Sequence, residues 1–201
     1  HRPVGRTPPP PRAVAGNLEA DSRAQIHTTA LRHLFAMKTI TLVRHAKSSW
    51  DYAQLNDFER PLNDRGHRDA PTMAARLQRA GLKPDLLLSS PALRAISTAR
   101  LFAETHGIPP EKISVESKLY DASTATILRV IQALDVRYSE VWLFAHNPGI
   151  SETAHQLAEC PFYDLPTCAS VRIDLKSKLW STMSAGSGTH SRYSFPNEPS
   201  T

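Results

Sequence analysis

The sequence contains few cysteines, no long apolar run and no metal-binding spacing of histidines. Its only cysteines, Cys160 and Cys168, are too far apart for a CxxC motif, and they predict two thiols rather than a disulfide scaffold. No apolar stretch approaches the roughly 18 residues of a membrane-spanning helix, and no two histidines have the HxxxH spacing. These absences predict a protein with no membrane partner, no metal and no other cofactor.

Basic residues are concentrated near the start of the chain. The formal net charge is +5, and residues 1–36 hold five arginines against two acidic residues. The remaining sequence has no Lys/Arg stripe interleaved with aromatic residues of the kind that follows a nucleic-acid backbone. The charge pattern therefore predicts no nucleic-acid partner.

Residues 1–36 also differ in composition from the rest of the chain. They include four consecutive prolines at 8–11 and little apolar periodicity, which predicts a disordered Pro/Arg-rich N-terminal extension before a domain at 37–201. An Arg-rich, acid-poor segment is also typical of organelle-targeting peptides. We favour upstream sequence before a start at Met37, and hence a cytoplasmic location.

From Met37 onward, strand and helix patterns alternate, which indicates an α/β fold. Strands are predicted at 39–44, 85–89, 113–115, 140–145, 170–175 and, in a Gly/Ser-rich tail that begins near 180, at 192–195. Helices are predicted at 63–81, 92–105, 124–134 and 149–158. Pro71 lies inside the first helix, which should therefore begin near Asp69 or bend there. Ser90 and Asn147 are predicted to cap the helices that follow them.

Charged and polar side chains follow three of the predicted strands. Arg44 and His45 end the first strand, Arg94 lies just inside the helix after the second, and His146 and Asn147 follow the strand at 140–145. Sites in open α/β sheets form at the carboxyl ends of strands, where helices present their N-termini. If these strands are neighbours, the cluster suits a phosphoryl group, because guanidinium forks match phosphate oxygens and helix N-termini favour anions.

A series of short motifs follows in order along the chain, beginning with the segment LVRHAKSSW at 42–50. The later ones are Asp57, RPLN at 60–63, RG at 65–66, DA at 69–70, SSPA at 89–92 with Arg94, Ala95 and Thr98, LY at 119–120, HNPG at 146–149 and LPT at 165–167. This series resembles the histidine phosphatase superfamily, which includes the phosphoglycerate mutases, and in particular its small SixA-like phosphohistidine phosphatase group, with 42–50 matching the opening signature. The resemblance covers roughly residues 37–175.

The resemblance implies a single three-layer α/β/α domain with a mostly parallel central sheet, like that of phosphoglycerate mutase. It also implies a phosphatase in which His45 is the nucleophile, while Arg44, Arg94 and His146 bind the phosphoryl oxygens. We expect His146 to act as a protonated donor beside bound phosphate. Larger relatives use a glutamate as general acid, in a loop that SixA-like chains shorten, and Asp121 is the nearest candidate here.

Three further residues are candidates for phosphate or substrate binding: Ser48, Arg60 and Asn147. Ser48 could instead satisfy the backbone of its loop. Arg60 is at least as well explained as an ion-pair partner of Asp57. Trp50 is predicted to pack against the protein rather than stack on a ligand.

The expected substrate is a phosphorylated protein or a small phosphorylated molecule. Attack by His45 would give a phosphohistidine intermediate that water hydrolyses, and the arginines with His146 would do what magnesium does in other phosphoryl-transfer sites. Protein phosphohistidine is the favoured substrate. The alternatives are a phosphoglycerate mutase-like or small-molecule phosphatase activity and a phosphate-binding module without catalysis.

Overall fold

The computed structural model describes residues 36–198, so the predicted disordered extension lies outside the described residues except for its last residue. The strands are β1 Thr39–Arg44, β2 Leu86–Ser89, β3 Ile113–Val115, β4 Glu140–Ala145, β5 Ser170–Leu175 and β6 Gly188–Ser194. The α-helices are α1 Asp64–Arg79, α2 Leu93–Thr105, α3 Thr124–Gln132 and α4 Gly149–Ala158. Short 3-10 turns occur in several of the connections.

The described strands form one sheet in the order β3-β2-β4-β1-β5-β6. The pairs β2–β3, β2–β4 and β1–β4 are parallel, whereas β5 pairs antiparallel with both β1 and β6. The predicted mostly parallel sheet is therefore confirmed. The order also makes β2, β4 and β1 neighbours, which brings their carboxyl ends to the same edge of the sheet.

Alternating apolar side chains of the sheet are covered by helices on both faces. On β4, Trp142 and Phe144 pack in one core cluster, and Val141 and Leu143 pack in the other. The first cluster includes apolar residues of α1 and α2, and the second includes apolar residues of α3 and α4. Three layers result, as predicted, because each amphipathic helix buries its apolar face against one side of the sheet.

Helix α1 begins at Asp64, next to the start predicted at residue 63, so of the two expectations for Pro71 the later start near Asp69 was wrong. The Asn63 side chain caps the helix by accepting a hydrogen bond of 2.9 Å from the Gly66 amide. This cap supports the first turn, and the helix continues through Pro71. A Cβ on Gly66 would lie 2.2 Å from the carbonyl oxygen of Lys47. The first turn of α1 therefore packs directly on the backbone that follows His45.

The last part of the described chain completes the sheet. Strand β6 begins at Gly188, earlier than the strand predicted at 192–195, and pairs with β5 through a register shift between Arg172 and Ile173. Cys160 and Cys168 are free and buried, as predicted for thiols. Within residues 36–198 no helix is both long and apolar enough to cross a bilayer.

Candidate active site

A polar cavity of about 320 Å³ lies where the carboxyl ends of β1, β2 and β4 meet. All eight predicted site residues line this cavity, although their chemical roles stay predictions. The lining residues are Arg44, His45, Lys47, Ser48, Trp50, Asp57, Arg60, Arg94, Asp121, His146, Asn147 and Thr167.

His45 follows β1 and is held in one orientation by the backbone. Its Nδ1 atom lies 2.8 Å from the carbonyl oxygen of Ala46, and the residue is 9% exposed. Burial, together with the charges of Arg94 and Arg44, lowers the pKa of His45 to about 4. The imidazole is therefore neutral near pH 7, with Nδ1 as the donor and an unshared electron pair on Nε2.

Asp57 joins two arginines that come from different parts of the chain. Its Oδ1 accepts a hydrogen bond of 2.8 Å from Nη1 of Arg60, and its Oδ2 accepts one of 2.8 Å from Nη2 of Arg94. The Tyr120 hydroxyl donates to the same Oδ2 over 3.1 Å. Burial alone would raise the pKa of Asp57, but the hydrogen bonds from Arg60 and Arg94 outweigh it and lower the pKa overall. Asp57 is therefore an ionised carboxylate.

The ion pair between Arg60 and Asp57 was predicted, and the structure confirms it. Arg60 also lines the cavity, so its ion pair does not exclude substrate contact. Its Nη2 donates to the Ser48 hydroxyl, and its Nε donates to the Ser49 carbonyl over 3.0 Å. The Arg60 guanidinium lies 3.2 Å from the ring centre of Trp50, which is consistent with the packing role predicted for Trp50.

Arg44 and Asn147 both donate hydrogen bonds to the loop that contains Asp164 and Leu165. Nη1 of Arg44 donates to the Leu165 carbonyl and to Asp164, the latter over 3.3 Å. Asn147 donates from Nδ2 to the Leu165 carbonyl over 3.1 Å and also to Asp164. The predicted capping of α4 by Asn147 is wrong, since Pro148 occupies the N-cap position and no side chain caps the helix.

His146 contacts Ser90, the other residue that was expected to cap a helix. Helix α2 instead has Ala92 at its N-cap without a side-chain hydrogen bond, and Ser90 Oγ lies 2.7 Å from Nε2 of His146. Burial, followed by the influence of His45 and Arg94, lowers the pKa of His146 to about 3. Its Nδ1 is buried without a hydrogen-bond partner among residues 36–198. In the free pocket His146 is therefore neutral, and the expected protonated form would require a bound anion.

Asp121 lies on the tight turn between Tyr120 and α3. Its φ of 48° is in the left-handed region, which aspartate tolerates better than most residues. The following residue, Ala122, packs on the first turn of α4, where a Cβ on Gly149 would lie 2.0 Å from the Ala122 carbonyl oxygen. This close approach holds the turn that carries Asp121 against the cavity.

Four cavity residues were not predicted as site residues: Lys47, Trp50, Asp57 and Thr167. Lys47 and Trp50 lie within the opening signature at 42–50, and Thr167 lies within the LPT motif at 165–167. Asp57 is itself one of the matches to the family, so membership of the matched segments was the available signal for all four.

Across residues 36–198, no group of three or more His, Cys, Asp or Glu side chains has an arrangement that could hold a metal ion.

Comparison with known proteins assigns the family. The profile of the Histidine phosphatase superfamily (branch 1) matches residues 40–121. An uncharacterized chloroplastic protein of Arabidopsis thaliana is 31% identical over 161 residues, which cover 75% of this chain and 72% of the relative. This chain belongs to the histidine phosphatase superfamily. The Arabidopsis protein is named as chloroplastic, whereas the sequence of this chain favours a cytoplasmic location. The cytoplasmic location stays a prediction.

Solved structures of this superfamily share the fold of the described chain. A SixA protein of Agrobacterium tumefaciens, named for phosphohistidine phosphatase activity, superposes with a TM-score of 0.67 at 26% identity, covering 80% of this chain and 99% of its own. The protein histidine phosphatase SixA in complex with tungstate gives a TM-score of 0.67 at 22% identity, with coverages of 79% and 97%. The predicted fold class and family resemblance are therefore confirmed.

Proposed function

We propose that this protein is a metal-independent phosphatase that removes phosphate from protein phosphohistidine through a covalent intermediate on His45. The observation that carries the proposal is the neutral His45 ring, whose Nδ1 contacts the Ala46 carbonyl within a cavity lined by Arg44, Arg60 and Arg94. A nucleophile with a free electron pair is thereby surrounded by donors for three phosphoryl oxygens.

In the first step, Nε2 of His45 attacks phosphorus in line with the leaving group. The new N–P bond forms while the bond to the substrate imidazole breaks, and a proton reaches the departing nitrogen. Asp121 is the candidate donor of that proton. In the second step, the oxygen of water bonds to phosphorus while the Nε2–P bond breaks, and a proton of water passes to the carboxylate of Asp121. Inorganic phosphate leaves, and His45 and Asp121 return to their starting states.

The cationic side chains supply the charge stabilisation that magnesium gives in many phosphoryl-transfer sites. Arg44, Arg60 and Arg94 line one cavity, and guanidinium groups can offset the negative charge of the equatorial oxygens. His146 adds a fourth donor if the bound anion raises its pKa. Turnover should therefore proceed without an added metal.

An open cavity favours a phosphoryl group that is presented on a protein surface. Between α2 and β4 the chain forms only the three-residue strand β3, the nine-residue helix α3 and turns, which leaves no long insertion to close over a small metabolite. Trp50, on the cavity wall, is 72% exposed. Imidazole also leaves more readily than an alkoxide after accepting one proton, so a weak acid at Asp121 suffices.

The test compares substrates under metal-free conditions. We expect kcat/KM to be at least tenfold higher on a histidine-phosphorylated carrier domain than on 3-phosphoglycerate or a hexose phosphate, and unchanged by excess chelator. Equal or faster turnover of the small molecules would favour a mutase-like or small-molecule phosphatase instead. Phosphate binding without turnover of any substrate would indicate a binding module, and activity that returns only with added magnesium would contradict the metal-free mechanism.

A further inference from the structure

The carboxylate of Asp57 lies between the two arginines on one wall of the cavity. Asp57 begins a short 3-10 turn whose N-cap, Asn56, accepts a hydrogen bond from the Glu59 amide. Its two oxygens are divided between the arginines, with Oδ1 facing Arg60 and Oδ2 facing Arg94, each at 2.8 Å. One carboxylate therefore fixes the separation and relative orientation of two guanidinium groups.

Arg94 depends on Asp57 more than Arg60 does. Both hydrogen bonds that hold the Arg94 guanidinium among the described residues go to Asp57, from Nη2 to the carboxylate and from Nη1 to the backbone carbonyl. Arg60 is also held by Ser48 and Ser49. Each terminal guanidinium nitrogen carries two hydrogens, so these bonds leave further hydrogens for phosphoryl oxygens.

We propose that Asp57 is a positioning residue that holds Arg94, and with it Arg60, in the geometry required for in-line phosphoryl transfer. This inference rests on the proposed function, since it assigns a role within that reaction. The Asp57 carboxylate is ionised and accepts three side-chain hydrogen bonds, from Arg60, Arg94 and Tyr120. It therefore cannot serve as the proton donor.

Vanadate affinity distinguishes a positioning role of Asp57 from a role that only balances the charge of the arginines. Removal of the Asp57 charge makes the cavity more positive, which by itself would strengthen the binding of any anion. Loss of the fixed guanidinium geometry should instead weaken binding of vanadate, which imitates the pentacoordinate transition state. A change in the geometry of a catalytic group of about 1 Å can cost about 10²-fold in rate. The two effects have opposite signs for vanadate affinity, so one measurement separates them.

The test uses Asp57→Asn with Asp174→Asn as its matched control. Asp174 is equally exposed, at 49% against 47% for Asp57, and pairs with Arg172 at the opposite end of the sheet. We expect Asp57→Asn to lower kcat and vanadate affinity by about tenfold or more, with little change in KM. Asp174→Asn should leave kcat, KM and vanadate affinity unchanged. If Asp57→Asn is unfolded by circular dichroism, Asp57→Glu replaces it, because it also displaces the carboxylate.

A double-mutant cycle with Arg94→Ala tests whether Asp57 acts through Arg94. In the Arg94→Ala background, Asp57→Asn should cost less than about threefold in vanadate affinity, because the group it positions is gone. The inference would be overturned if Asp57→Asn lowers vanadate affinity as much in the Arg94→Ala background as in the wild type. It would also be overturned if Asp57→Asn alone behaves like Asp174→Asn. If the wild type binds vanadate but hydrolyses no phosphorylated substrate, the proposed function fails, whereas the vanadate comparison still decides the role of Asp57.

Discussion

The Nδ1 atom of His45 lies 2.8 Å from the carbonyl oxygen of Ala46, the next residue in the chain. A carbonyl oxygen can only accept a hydrogen bond, so Nδ1 carries the hydrogen and Nε2 keeps its electron pair. The backbone after β1 thus selects one tautomer of His45. This selection gives the ring a single nucleophilic nitrogen.

The first prediction follows from that assignment. A brief incubation with phosphorylated substrate near pH 7, followed by denaturation in alkali, should trap phosphate on Nε2 of His45, because the ring is neutral at that pH. The adduct should be acid-labile and alkali-stable, as phosphoramidates are, and His45→Ala should abolish both the adduct and turnover. Vanadate should still bind to His45→Ala, because the arginines supply most of the complementary charge. An acid-stable phosphoenzyme would instead indicate a serine nucleophile.

The second prediction concerns the protonation of His45. Its pKa is lowered to about 4, first by burial and then by the charges of Arg94 and Arg44, so its NMR resonances should titrate near pH 4 rather than near the ordinary value of about 6.5. The missing signal in His45→Asn identifies the resonance. Arg94→Ala should raise the midpoint only partly, because burial remains the largest cause. A wild-type midpoint above pH 6 would contradict the neutral nucleophile.

The same shift makes folding depend on pH, with a definite sign. The folded-state pKa of His45 lies below that of the unfolded chain, so the unfolded state binds more protons between about pH 4 and 6.5. The stability linked to this neutral ring is therefore fully present above about pH 6.5 and is lost as the pH falls toward 4. His146, whose pKa is lowered to about 3, adds to the same trend.

The third prediction ranks two arginines of the cavity. Arg94→Ala should lower kcat/KM by about 10²-fold or more, since loss of one charge-assisted donor costs about 3 kcal/mol in such sites. Arg60→Ala should cost less, because Arg60 already binds Asp57, Ser48 and Ser49. Arg137→Ala, which removes an exposed ion pair with Asp135, serves as the control. Kinetics in which Arg60→Ala is the more damaging change would reverse the assignment.

The strand pattern predicted part of the cluster, on the condition that β1, β2 and β4 are neighbours, and the family resemblance added Asp121. The ends of β1, β2 and β4 each carry part of the cluster, and parallel neighbours place their carboxyl ends at one edge. The antiparallel direction of β5 could not be predicted, because burial patterns do not encode strand direction. The contact between Asp57 and Arg94 was missed for a related reason: it joins residues 37 positions apart, and only the folded chain brings them together.

The polar residues at the starts of helices show a further limit of local rules. Ser90 and Asn147 have the side chains that favour N-caps, but neither occupies the N-cap position. The Ser90 hydroxyl lies 2.7 Å from His146 and only 3.4 Å from the Ala92 amide, and Asn147 binds Leu165. At Asn63 the same rule holds and determines the start of α1. Local propensity thus predicts the cap that lies outside the cavity, while tertiary contacts redirect the two residues that lie at or beside it.

The last prediction concerns Gly66, where helix α1 packs against the backbone of the loop after His45. Gly66→Ala would place a Cβ 2.2 Å from the Lys47 carbonyl oxygen. The nearest atoms belong to the backbone of Lys47, so the clash can be relieved only if the loop moves. We therefore expect the unfolding free energy to fall by more than about 3 kcal/mol in urea titrations. Gly107→Ala is the control, because it has open space and a φ of +64°, for which the left-handed backbone costs about 1–2 kcal/mol. A Gly66→Ala protein as stable as the Gly107→Ala protein would show that the loop moves freely. It would also predict that the position of His45 does not depend on the packing of α1.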